Sequence, residues 1–238
     1  CYALAERDHN FNAEMAQIEN RYQEIIDGLK IALDLSPEFD KIIDNFKRKV
    51  GSNYAASRGE YLNGMIMASY LGYEFIDSAE YIRFNEDGVF DAIKTQELLS
   101  QRLSGVESAV IPGFYGAKED GTVVTFSRGG SDITGSIVAK AIQADVYENW
   151  TDVSGVLVAD PRIIENPKVI DIITYGELRE LSYMGFNVLH EDAIFPVRKE
   201  GIPINIKNTN QPEDEGTWIV GHTCKKAKYT ITGIAGKK

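Results

Sequence analysis

The chain is poor in the residues that build metal and disulfide sites. Its 238 residues include two cysteines, Cys1 and Cys224, far apart in sequence. That is too few for a disulfide framework, and no Cys-x-x-Cys pair points to zinc. Three isolated histidines, His9, His190 and His222, argue against a metal cage made of protein ligands. No run of about 18 apolar residues occurs, so the sequence offers no transmembrane helix. Positive charge is also scarce. Lys and Arg number 25 against 36 Asp and Glu, giving a net charge of -11. Such an acidic chain is a poor partner for nucleic acid or an anionic membrane, whose phosphates attract basic surfaces. No Walker A motif is present, and Gly233-Ile234-Ala235-Gly236-Lys237-Lys238 does not qualify.

What remains is an ordinary globular composition, 43% hydrophobic and 26% charged. At about 150 residues per domain, the length allows one large domain, or one plus a fragment of another. From Phe11 to Leu29, apolar residues recur at spacings of three and four (Phe11, Met15, Ile18, Tyr22, Ile25, Ile26, Leu29), which predicts an amphipathic helix. Ser36-Pro37 reads as an N-cap followed by proline at the first helical position. Phe39, Ile42, Ile43, Phe46 and Val50 give that second helix its apolar face. A third helix is expected from about Ala56 to Leu71, ending at Gly72. Beyond it, strand-like runs at 74–77, 109–114, 122–126, 145–150 and 202–206 alternate with helical stretches such as 133–144 and 177–184. This alternation predicts an α/β fold built on a mostly parallel sheet. Val123-Val124-Thr125-Phe126 fits a strand covered on both faces. The opening Cys1-Tyr2-Ala3-Leu4 reads like the interior of a helix, and Tyr229–Ile234 like the first strand of a further domain.

Three segments carry chemistry. The first is Thr122–Phe126 followed by Ser127-Arg128-Gly129-Gly130-Ser131-Asp132 and a helix. Helix-start N–H groups and the helix dipole attract anions, and Arg128 adds a planar fork suited to a carboxylate or phosphate. Asp132 is oddly acidic there and suits a ligand ammonium. The turn therefore fits a zwitterionic, amino-acid-like ligand, or else is a common βα turn in which Ser131 or Asp132 caps the helix. The second is Trp150-Thr151-Asp152-Val153-Ser154-Gly155-Val156-Leu157, then Asp160-Pro161-Arg162. Thr151 and Asp152 would leave a strand end, and Arg162 is suited to phosphate oxygens, although Asp-x-x-Gly and Asp-Pro are also common turn chemistry. The third is Glu60 in Ser57-Arg58-Gly59-Glu60, sharing a helix face with Gly64 and Met67. A carboxylate on that small-residue face could approach a ligand amine, although such a residue is more often a solvated helix-start glutamate that favours the dipole. His190 is by default a structural histidine.

Together these motifs resemble the aspartate kinase branch of the amino acid kinase family. Thr151-Asp152-x-x-Gly155 is shared across that family, whereas Arg128-Gly129-Gly130-Ser131-Asp132 with the upstream Ser57-x-Gly59-Glu60 singles out the aspartate branch. The resemblance implies a three-layer sandwich of the carbamate kinase-like type. Residues 1–223 would form the catalytic domain, N-terminally truncated, and 224–238 a linker and first strand of a regulatory ACT domain. It implies transfer of the ATP γ-phosphoryl group to the β-carboxylate of L-aspartate, with Mg²⁺, in a cytoplasmic homo-oligomer. Glu60, Arg128, Ser131 and Asp132 would contact aspartate, with Arg128 and Asp132 closest to the chemistry. Thr151, Asp152, Leu157 and Arg162 would contact ATP. The family usually has Tyr where Leu157 stands and Lys where Asn187 stands. Its opening Lys-Phe-Gly-Gly-Ser strand is not found here, so the chain alone is expected to be a weak kinase or inactive. Alternatives are a non-catalytic amino-acid-binding subunit, or a kinase acting on glutamate, acetylglutamate or a nucleoside monophosphate.

The proposed reaction suits these residues. A side-chain carboxyl with a pKa of about 4 is already ionised at neutral pH and needs no catalytic base. The difficulty is bringing two anions together, so positioning and charge neutralisation should dominate. Mg²⁺ would be held mostly by phosphate oxygens and water.

Overall fold

The computed structural model describes residues 1–159, 163–183, 189, 191–223 and 231–234. Asp160, Pro161, Arg162, Asn187, His190, Cys224 and Tyr229 lie outside the described residues. The chain forms two compact units, Cys1–Ser127 and Arg128–Lys238.

The first unit opens with four helices, α1 (Tyr2–Glu6), α2 (Asn12–Leu29), α3 (Ser36–Lys47) and α4 (Ser52–Leu71). The apolar stripe of α2 behaves as its period predicts. Met15 and Ile26 join Phe11, Leu35, Phe39, Ile42, Phe46, Leu62 and Ile66 in one buried cluster, while Ile18 falls at the margin and is 39% exposed. Edge-on ring contacts, Tyr2–Phe46 and Tyr22–Phe39, tie α3 to α1 and α2. Two helix starts differ from expectation. Ser36 is the first residue of α3, with Leu35 at the cap, because the carboxylate of Asp34 already accepts the Ser36 N–H at 2.9 Å. Helix α4 begins at Ser52, a turn before Ala56, since Gly51 at φ 122° supplies the break in direction. It ends at Gly72 in the left-handed conformation, as expected.

After α4 the first unit holds β1 (Glu74–Phe75), α5 (Ser78–Tyr81), α6 (Ala92–Leu103), β2 (Ala109–Val110), β3 (Tyr115–Ala117) and β4 (Val123–Thr125). Strands β1 and β2 pair in parallel. Strand β4 does not lie in a parallel sheet covered on both faces. It pairs antiparallel with β3, and its three residues are only half-buried. The cause is local: Asp120-Gly121, with Gly121 at φ 84°, turns the chain, and Lys118 N–H donates to the Thr122 carbonyl at 3.0 Å.

The second unit contains α7 (Gly130–Ala141), β5 (Tyr147–Thr151), β6 (Ile172–Thr174), α8 (Tyr175–Tyr183), α9 (Glu191–Glu200), β7 (Ile204–Asn208) and β8 (Thr217–Val220). The strands form one four-stranded sheet in the order β5-β7-β8-β6. The β5–β7 and β6–β8 pairs are parallel and β7–β8 is antiparallel. Thus three of the five pairings in the described residues are parallel, the mostly parallel α/β arrangement predicted. Ile173, Ile204, Ile206 and Ile219 are fully buried in this sheet. Helix α7 packs on α9. Ile133, Ile137 and Ala141 of its expected apolar face are buried, whereas Ile142 is 53% exposed just past the helix end.

Candidate active site

In the first unit, Glu60 sits mid-way along α4, half-buried. Its Oε1 accepts the backbone N–H of Gly113 at 3.4 Å, just beyond β2. Gly64, one turn on, faces the same segment, where a Cβ would come 3.2 Å from the Pro112 ring. Met67 has drifted round the helix and is 38% exposed. Tyr22 donates to the Gly59 carbonyl at 3.2 Å. Burial, helped by the charge of Glu60, raises its phenol above the ordinary range.

The residue beside Glu60 is more unusual. Arg58 is 9% exposed, and its guanidinium carbon lies 4.5 Å from the Tyr54 ring centre, 4.4 Å from Tyr61 and 5.5 Å from Tyr115. Its Nε and one terminal nitrogen donate to Ser57 Oγ at 3.1 and 2.9 Å. The rings relay charge outward. Tyr61 donates to Glu38 at 3.1 Å and Tyr115 to Asp77 at 2.7 Å. Burial, then the nearby carboxylates, pushes both phenols far up, so they remain neutral donors. Desolvated cation–π contacts are worth about 2 kcal/mol or more, which offsets the burial of an arginine that has no carboxylate in contact among the described residues. Sequence reasoning passed over this cage, because Arg58 looks like a solvated helix residue and its three rings come from two separate segments.

The second unit begins with the arginine turn. Gly129, at φ 56°, caps α7, and Gly130 is its first residue. No side chain caps the helix, so the reading of Ser131 or Asp132 as a cap does not hold. Both lie in the first turn, beyond the position from which a side chain can return to the leading N–H groups. Arg128 and Ser131 are exposed, and Arg128 forms no ion pair among the described residues. Asp132 is half-buried and is held from β5: Asn149 Nδ2 donates to its Oδ1 at 2.9 Å, and the Tyr147 hydroxyl donates to its carbonyl at 3.2 Å. Neither contact was foreseen from sequence, although polar Tyr147 and Asn149 at alternate positions of a strand was the available signal.

Strand β5 also carries the expected nucleotide residues. Thr151 ends it, paired with Asn208, two residues beyond Asn149 and therefore on the same face. Its carbonyl accepts both the N–H and the hydroxyl of Thr209, at 2.8 and 3.0 Å. Its own hydroxyl donates to Asp152 Oδ1 at 3.3 Å, and Asp152 is exposed. The following loop is pinned. Asn208 donates to Ser154 Oγ at 2.9 Å, and Val156 N–H donates to Thr217 Oγ1 at 2.7 Å. Gly155, at φ 111°, passes so near Thr217 that a Cβ would lie 2.4 Å from its hydroxyl. Leu157 forms an isolated bridge with Val169 and is half-buried. Among the described residues, no group of three His, Cys, Asp or Glu could hold a metal ion, and no helix is long and apolar enough to cross a membrane.

In the second unit, then, a turn carrying Arg128 and Asp132 opens helix α7 beside strand β5, which ends at Thr151 and leads into Asp152. The chain belongs to the amino acid kinase family, whose model matches residues 8–208. It is 46% identical over 186 residues to aspartokinase 3 of Bacillus subtilis, covering 74% of this chain and 40% of that protein. The crystal structure of Clostridium acetobutylicum aspartate kinase is 54% identical, with a TM-score of 0.89 over 99% of this chain and 54% of that one. Escherichia coli aspartokinase III in complex with aspartate and ADP is 25% identical, with a TM-score of 0.73 over 89% of this chain and 52% of that one. The chain thus spans about half the length of the relatives it matches.

Proposed function

We propose that the protein transfers the γ-phosphoryl group of ATP to the β-carboxylate of L-aspartate, giving 4-phospho-L-aspartate. This is the entry reaction to the aspartate-derived amino acids lysine, threonine and methionine. Support comes from the similarity to aspartokinases, one of which was crystallised with aspartate and ADP. The observation that carries the reading is the start of α7, where exposed Arg128 and half-buried Asp132 offer one cation and one anchored carboxylate beside free helix N–H groups.

In this reading Arg128 clamps the α-carboxylate, the aspartate group that does not react. Ser131 adds a hydroxyl donor at the helix start. Asp132 receives the ammonium, which leaves the β-carboxylate free to attack. Thr151, Asp152 and the backbone at Leu157 hold the nucleotide, with Arg162 on its phosphates. An acyl phosphate forms as the β-carboxylate oxygen bonds to the γ-phosphorus and the bond to the β,γ-bridging oxygen breaks, leaving ADP. No protein base is needed, because the nucleophile is already an anion at neutral pH. The exposed carboxylate of Asp152 suits Mg²⁺ held mainly through water and phosphate oxygens, and the ion would supply charge neutralisation of the phosphates. We further assign the chain to a cytoplasmic homo-oligomer, with residues 1–223 forming the kinase portion.

Trapping the acyl phosphate with hydroxylamine tests the reading. In the full-length protein, ATP-dependent hydroxamate is expected with L-aspartate and not with glutamate, acetylglutamate or a nucleoside monophosphate. Product with another acceptor, or aspartate binding that never leads to turnover, would overturn it in favour of another kinase or a binding subunit.

A further inference from the structure

Asp132 is fixed by a strand, not by its own helix. Asn149, 9% exposed on β5, uses both hydrogens of its amide: one reaches Asp132 Oδ1 and the other the Tyr147 hydroxyl, each at 2.9 Å. That hydroxyl passes its own hydrogen to the Asp132 carbonyl at 3.2 Å. The three residues therefore form a closed network with every donor used in one direction. Burial pushes the Tyr147 phenol up to about 12, so it keeps its proton at neutral pH and the direction of the network does not reverse.

The approach of strand to helix is built into the sequence. Gly135 lies one turn beyond Asp132 on α7, and a Cβ there would come 2.7–2.8 Å from the Tyr147 ring. Only a glycine lets that ring, and hence its hydroxyl, reach the backbone at Asp132. Asp132 Oδ2 takes no hydrogen bond among the described residues. One carboxylate oxygen is held by Asn149, and that bond restricts the rotation of the side chain. A pre-oriented acceptor of this kind spares a ligand the entropy of ordering it.

We propose that Asn149, with Tyr147, is a positioning residue that orients Asp132 Oδ2 toward the ammonium group of the amino-acid substrate. This rests on Asp132 acting as an ammonium acceptor, as argued above. A mere staple between helix and strand would hold the fold but would not discriminate between ligands with and without an ammonium.

Calorimetric titration with L-aspartate and with succinate, the same diacid without the ammonium, separates the two. In Asn149→Leu the aspartate affinity is expected to fall about tenfold while succinate affinity is unchanged. Tyr147→Phe, which keeps the ring over Gly135, should weaken aspartate about threefold and succinate not at all, and it serves if Asn149→Leu does not fold. Equal losses for both ligands, or unchanged aspartate affinity in a folded variant, overturn the positioning role alone. If the unaltered protein binds neither ligand, the aspartate reading fails and the proposal falls with it.

Discussion

Arg58 and Arg128 show how differently the two units use the same side chain. Arg58 in the first unit is enclosed by Tyr54, Tyr61 and Tyr115, and the outer carboxylates Glu38 and Asp77 are reached only through tyrosine hydroxyls. Its charge is consumed internally. Arg128 opens the second unit exposed and without an ion pair among the described residues. The first is engaged within its own unit, and the second is an exposed cation in an acidic protein. The carboxylates differ less: Asp77 takes two hydrogen bonds through one oxygen, from Ala79 N–H and the Tyr115 hydroxyl, while Asp132 takes one, from Asn149.

The largest effect should come from breaking the cage. Arg58→Ala removes three cation–π contacts and leaves a void, and is expected to cost about 3 kcal/mol of stability, read as a lower urea midpoint. Arg58→Met should recover part of that loss by filling space, which would sharpen the assignment of a structural role. An Arg58→Ala variant as stable as the parent would break the contrast.

Next comes Gly135→Ala. The added methyl has no room against the Tyr147 ring, so overpacking is expected to cost about 1–3 kcal/mol, measured by thermal melting. Tyr147→Phe combined with Gly135→Ala should not rescue it, because the ring carbons also lie within 2.8 Å of the added atom.

The smallest effect is electrostatic. Thr174 and Glu177 form a reciprocal box at the start of α8: Glu177 Oε2 accepts the Thr174 N–H and hydroxyl at 2.9 and 2.7 Å, and Glu177 N–H donates to Thr174 Oγ1 at 3.2 Å. Thr232 adds a bond to Oε1 at 2.7 Å. Burial works against the charged form, but these hydrogen bonds outweigh it and lower the carboxyl below its ordinary value. A lowered folded value stabilises the protein above the ordinary glutamate range and loses that contribution as pH falls through the folded value. The site is largely solvated, so Glu177→Gln should cost less than about 0.5 kcal/mol near neutrality. In urea titrations the difference from the parent should vanish in acid.

Where the chain's pattern is local, the sequence foretold it. The α2 stripe, the Gly72 stop and the α/β alternation all follow from spacing and backbone preference. The antiparallel β3–β4 pair was missed although Asp120-Gly121 is a known hairpin signal, because β3 is only three residues long and follows a strand-like run at 109–114. The candidate site's motifs, Arg128 to Asp132 and Thr151-Asp152, stand out in the sequence as well. Their supports do not. Asn149 gives no sign in sequence that its partner lies on a helix 17 residues earlier, and Arg58 gives none that its cage includes a tyrosine 57 residues away. Long-range polar pairing is decided by packing, which no local period encodes.

The contrast between the two arginines reduces to one paired measurement, the L-aspartate affinity and the melting temperature of Arg128→Ala. Loss of a charge-assisted carboxylate clamp should weaken aspartate roughly 10- to 100-fold while the melting temperature stays that of the parent. Unchanged aspartate affinity in the folded variant would contradict the assignment of the α7 turn as the substrate clamp.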